Sequence, residues 1–210
     1  MSDQINRLPV SIYAESTPNP ISMKFVADKQ LVAGSPIEFL SVDETNNSPL
    51  AGKLFQYPFV RGVFIASNFI TVNISDAVDW NDIVLEFREM IQQFLSEGNL
   101  VIKEPISGAD IQKDFTTSID SNRIDSNLES RILSDQDLKI AQILDEQIRP
   151  AVEQDGGAIN FKSFIDGKVT VELRGACSGC PSSTVTLKSG IETLLKRLVP
   201  EVKEVIAEEL

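Results

Sequence analysis

Along residues 168–174, apolar Val169, Val171 and Leu173 alternate with Thr170, Glu172 and Arg174, and further on Ile191, Leu194, Leu195 and Leu198 recur at helical spacing. A period of two marks a half-buried strand and a period near 3.6 a helix, so a strand is predicted to lead into a helix over residues 182–199. Upstream, Asp166-Gly167 separates residues 158–165 from 168–174, a hairpin signal whose type I′ turn needs positive φ at both positions. Before it, Ile140, Leu144 and Ile148 share a helical face with Ile143 nearby; Pro150 kinks or restarts that helix ahead of Val152, and Asp155-Gly156-Gly157 ends it. Beyond Pro200, residues 201–206 form a last strand, and strand, helix, strand is the succession of a parallel crossover. The predicted order of this half is helix, hairpin, helix, strand.

The amino-terminal half shows a comparable pattern. Residues 10–15 and 22–27 read as strands of a hairpin across Thr17-Pro18-Asn19-Pro20, whose residue types turn chemistry alone explains, and residues 37–42 add a short strand. Ser48-Pro49 is a cap and first residue for a short helix carrying Leu50, Leu54 and Phe55. Residues 59–66 and 70–74 are β-branched and aromatic runs around Ser67-Asn68, a second hairpin. Asp79 caps a helix with Ile83, Phe87, Met90, Ile91, Phe94 and Leu95 on one face; Gly98 stops it, and residues 100–102 read as a closing strand. The aromatic residues here, Trp80 included, fall at core positions of these periods.

Between the halves, over residues 105–136, Ser, Asp, Asn and Thr dominate and apolar residues are scattered. Ile111, Phe115 and Ile119 keep the spacing of a short docking helix, but the composition is that of a solvated tether. The fold class is therefore α+β: two small mixed domains, residues 8–104 and 137–210, joined by a flexible linker at 105–136.

Composition narrows the chemistry. The chain has 210 residues with a formal net charge of −12 and no cluster of Lys and Arg, which argues against binding phosphate backbones; nucleic acid is not an expected partner. No apolar run reaches the length of a membrane span, and residues 1–8 lack the character of a secretory signal or a mitochondrial presequence, so a bacterial-type cytoplasm is expected. There is no histidine, which excludes mixed Cys/His zinc sites and His-based triads.

Both cysteines of the chain lie in one C-x-x-C, Cys177-Ser178-Gly179-Cys180, at the predicted strand-to-helix junction. Pro181 suits the first helical position, and the partial positive charge of a helix N-terminus favours thiolate, the form that attacks disulfides and binds soft metals. Three chemistries compete at Cys177 and Cys180, beside the plain alternative of two ordinary buried cysteines in a turn, since free Cys otherwise behaves as a small hydrophobe. A thioredoxin-like dithiol/disulfide oxidoreductase also places C-x-x-C after a strand, although the repeated βαβ pattern of that fold is missing. A zinc ion or an iron–sulfur cluster wants four ligands, so with two thiolates per chain either one predicts a homodimer bridged at the motif.

Three segments in each half resemble a known family. Residues 148–157, Gly175-Ala176-Cys177-Ser178-Gly179-Cys180-Pro181-Ser182-Ser183 and Val199-Pro200-Glu201-Val202 resemble the NifU C-terminal domain of Nfu-type iron–sulfur proteins. Ser16-Thr17-Pro18-Asn19-Pro20 with Lys24-Phe25, Ser48-Pro49-Leu50-Ala51, and Gly62-Val63 leading into Phe69-Ile70-Thr71-Val72 resemble the Nfu N-terminal domain. The resemblance implies a carrier, not an enzyme: a [4Fe–4S] cluster shared between two chains, held by Cys177 and Cys180 of each, and passed to apo iron–sulfur client proteins. An upstream cluster scaffold is a further implied partner. Full-length NifU adds cysteine-bearing domains that two cysteines cannot supply, so carriage is expected over assembly from sulfide. The first domain, without cysteine, is expected to recognise partners.

Overall fold

The computed structural model describes residues 9–103, 134–178 and 181–209. Most of the stretch read as a tether, with Ile111, Phe115 and Ile119, lies outside the described residues.

The first unit is built on an antiparallel sheet of five strands: β1 (Ile12–Ser16), β2 (Ser22–Ala27), β3 (Ile37–Phe39), β4 (Val60–Ala66) and β5 (Phe69–Ile74), in the spatial order β1-β2-β5-β4-β3. Both expected hairpins form, Ile12 facing Ala27 in one and Ala66 facing Phe69 in the other. Helix α1 (Pro49–Leu54) begins at the expected cap, the Ser48 hydroxyl accepting from the Ala51 N–H at 3.2 Å. Helix α2 (Trp80–Ser96) is capped by Asp79 and stopped at Gly98, whose φ is +77°.

Two expectations fail here. Strand β3 is cut to three residues because the Glu44 carboxylate accepts from the Leu40 N–H, turning the chain into a 3₁₀ turn over Val42–Asn47. No strand closes the unit at 100–102; the Val101 carbonyl accepts from the Ser48 hydroxyl, tying that segment to α1 instead of to a sheet. Behind the sheet, Phe87 is fully buried among Phe25, Tyr57, Phe59 and Trp80, with ring centroids 4.7 to 6.3 Å away.

The second unit opens with α3 (Asp135–Ile143), closed by a reciprocal box: the Ser134 hydroxyl accepts from the Asp137 N–H and the Asp137 carboxylate from the Ser134 N–H. The helix thus starts inside the stretch read as tether. A π-helical turn over Leu144–Ile148 precedes α4 (Arg149–Gln154), the restart expected at Pro150. Strands β6 (Gly157–Ile165) and β7 (Lys168–Gly175) form the hairpin, with φ of +53° at Asp166 and +85° at Gly167 as the type I′ turn requires. Helix α5 (Pro181–Leu198) crosses over to β8 (Glu204–Glu209), which lies parallel to β7 and starts three residues later than its apolar pattern suggested.

The first sheet is covered on both faces. Its inner residues, Phe25, Ile65, Ile70 and Val72, pack toward α1 and α2, while Val26, Phe64, Ala66 and Phe69 on the outer face form a separate apolar cluster with Ala158 of β6. The second unit therefore sits on the sheet of the first. Replacing Phe87 with Ala removes the ring that joins the aromatic cluster; we expect a loss of about 3–5 kcal/mol in urea unfolding, measured on the first-domain transition.

Candidate functional site

Strand β7 ends at Gly175, with φ of +68°, and Ala176-Cys177-Ser178 turns away from it; the turn is held by the Ser178 hydroxyl donating to the Gly175 carbonyl at 2.9 Å. Cys177 is only 7% exposed and is part of the core formed by Ile140, Leu173, Ile191 and Leu195. Beside it runs Gly157: a Cβ there would stand 2.6 Å from the Cys177 sulfur, so only glycine fits. Cys180 and Gly179 lie outside the described residues. Among the described residues no three Cys, Asp or Glu side chains gather where they could hold a metal ion.

This corrects the picture of a thiolate-favouring turn. Burial, with the nearby Asp155 carboxylate adding to it, pushes the Cys177 thiol up from an ordinary 9.0 to about 12. Desolvation of the charged form outweighs any assistance from the end of α5.

The first unit reaches the same corner. The Asn19 amide, buried, donates to the carbonyls of Ala176 and Ser178 at 3.2 and 3.4 Å, the residues on either side of Cys177. The Thr71 hydroxyl donates to the Gly156 carbonyl at 2.6 Å, the Lys24 ammonium to the Gln154 carbonyl at 3.1 Å and the Asn73 amide to the Gly175 carbonyl at 3.4 Å. In return the Gly175 N–H donates to the Glu38 carboxylate at 2.9 Å. The other Glu38 oxygen is buried without a hydrogen-bond partner, and this desolvation raises the pKa of the group despite the Gly175 bond. Sequence reading placed Asn19, Lys24 and Thr71 in segments resembling the Nfu N-terminal domain without assigning them a contact, and missed Glu38 and Asn73. The available signal was the unbroken apolar run at 63–66 of β4, which a sheet open to water on one face does not tolerate.

Residues 12–98 match the family model for the scaffold protein Nfu/NifU N-terminal domain, and residues 140–206 match the NifU-like domain. Among relatives, the mitochondrial NFU1 iron–sulfur cluster scaffold homolog of Drosophila willistoni is 36% identical over 92% of this chain and 62% of its own length. The corresponding protein of Drosophila persimilis is 34% identical over 98% of this chain and 67% of its own. The chain belongs to the Nfu family. It spans about two thirds of the length of these relatives. A solution structure of a NifU-like protein from Saccharomyces cerevisiae is 32% identical, covering 50% of this chain and 91% of that one, with a TM-score of 0.42.

The expected bacterial-type cytoplasm does not stand. Family relatives that share both domains are named as mitochondrial proteins, and residues 1–8 are no guide to compartment in a chain matching only 62 to 67% of their length. Among the described residues no helix is long and apolar enough to cross a membrane.

The buried thiol generates a pH prediction. A group whose pKa rises on folding contributes fully below its ordinary value of 9.0 and loses that contribution as pH climbs toward about 12. We expect the unfolding free energy of the parent to fall relative to Cys177→Ala by about 1.4 kcal/mol per pH unit across that window, read by denaturant titration of both proteins.

Proposed function

We propose that this chain carries an iron–sulfur cluster and hands it to apo-proteins, with residues 8–104 and 134–210 acting as two domains joined through 105–133. The observation supporting it most directly is that the chain shares its domain pair with iron–sulfur cluster scaffold homologs and carries a C-x-x-C in the sequence between β7 and α5. Cys177 and Cys180 are the proposed ligands. Each chain offers two thiolates where a [4Fe–4S] cargo wants four, so a second copy is required to complete the set. Clients then take the cargo by ligand exchange, which needs no catalytic group.

What the chain's own residues do follows from the corner. Gly157 leaves the sulfur room inside the domain, where it is kept as the neutral thiol. To serve as a ligand, Cys177 leaves that core and gives its proton to water. Thioredoxin-like exchange finds less support, because a nucleophilic cysteine has a lowered pKa and this one is raised. A mitochondrial setting is part of the same proposal, supported by the names of the relatives.

Anaerobic reconstitution should give about four iron and four sulfide per two chains, with the absorption and Mössbauer signature of a [4Fe–4S] centre in the dimeric fraction. Cys177→Ser and Cys180→Ser should each lose stable binding. Equal iron content in a monomeric fraction, or a normal cluster in either variant, would overturn the assignment; zinc in oxygen-free, iron-replete preparations would change the cargo.

A further inference from the structure

Four residues of the first sheet stand in one cross-strand row: Lys24 faces Thr71, Thr71 faces Phe64, and Phe64 faces Glu38. Side chains on one face of a sheet at paired positions point the same way, so this row crosses β2, β5, β4 and β3 on the outer face. All four meet the same short stretch of the second domain. Lys24 holds the Gln154 carbonyl, Thr71 the Gly156 carbonyl, and Glu38 the Gly175 N–H, while a Cβ at Gly175 would stand 3.0 Å from the Phe64 ring. A Cβ at Gly156 would come within 2.9 Å of the Thr71 hydroxyl. Asn19, at the end of the adjoining turn, adds its two bonds across Cys177.

We propose that this row, with Asn19, is an intramolecular docking surface for the glycine corner and motif turn of the chain's own second domain, holding Cys177 inward until the two domains separate. The occupant is the backbone of residues 154–157 and 175–178. Its recognition is by bonds to backbone groups and by the absence of Cβ atoms. The grip is built to be reversible: it consists mostly of neutral bonds, it carries a buried carboxylate oxygen without a partner, and separation returns that oxygen to water. The consequence for cargo rests on the carrier reading above: a chain in this arrangement does not present Cys177 to a second copy, so docking and sharing exclude each other. The docking itself does not depend on that reading.

The test uses apo full-length chain in a Cys180→Ser background, so that alkylation reports Cys177 alone. Asn19→Ala combined with Thr71→Val, which removes three bonds to the second domain together with the Asn19 acceptor of the Ile21 N–H and keeps the shape at 71, should speed iodoacetamide labelling roughly tenfold and deprotect the Gly175 amide in hydrogen exchange. Glu38→Gln keeps an oxygen for the Gly175 N–H and removes the desolvated charge; it should slow labelling roughly two- to fivefold. A variant that merely loosens the fold accelerates both, so the opposite signs separate release from unfolding. Unchanged labelling and protection in the double variant, or faster labelling in Glu38→Gln, overturns the proposal. Since no cluster enters these measurements, their failure leaves the carrier reading standing, and a failed reconstitution leaves the docking standing.

Discussion

Neighbouring atoms close in on the bare backbone at Gly156, Gly157 and Gly175, and the arrangement of the whole molecule depends on that close approach. At each of these positions a Cβ would fall within 3 Å of a neighbouring atom: the Thr71 hydroxyl, the Cys177 sulfur and the Gly156 carbonyl respectively. Glycine at 156 and 175 also takes the left-handed backbone, with φ of +84° and +68°. With no side chain in the way, β6 and β7 pair to their last residues, the sulfur tucks in beside them, and the first sheet closes over the outside. One packing constraint thus sets the hairpin end, the thiol environment and the contact between domains.

The thiol shows how such a constraint overrides a local electrostatic argument. Proximity to a helix N-terminus stabilises a nearby negative charge by about 0.3–1 kcal/mol. Raising the pKa from 9.0 to about 12 corresponds to about 4 kcal/mol against the thiolate. Burial wins by several-fold, so Cys177, which the helix-terminus argument would activate, is held neutral in the folded chain. A thiol of this kind is protected while at rest.

Legibility in the sequence followed the range of the interactions. Caps at Ser48 and Asp79, the stop at Gly98, the turn at Asp166-Gly167 and the restart near Pro150 were readable because each depends on residues within a few positions. The failures were of another kind. β3 was cut short by Glu44, residues 100–102 were drawn to Ser48, and Ser134 began a helix in a segment whose composition is polar. In each case a side chain claimed a backbone group that hydrophobic periodicity had assigned elsewhere.

Residue order alone determined most of the element types, the pairing of the three hairpins, the Nfu domain pair and the place of both cysteines in the sequence, because period, turn chemistry and motif spacing are local properties of the chain. Tertiary structure alone decided that Lys24 and Thr71, polar residues alternating with apolar neighbours as if facing water, are buried against a second domain, and that Cys177 is sealed in a core. The reason is physical: alternation says that one face of a strand differs from the other, but what covers the polar face is set by partners 85 to 157 residues away. Carbonyls at Gln154, Gly156 and Ala176 satisfy those side chains, and backbone carbonyls leave no mark in a sequence.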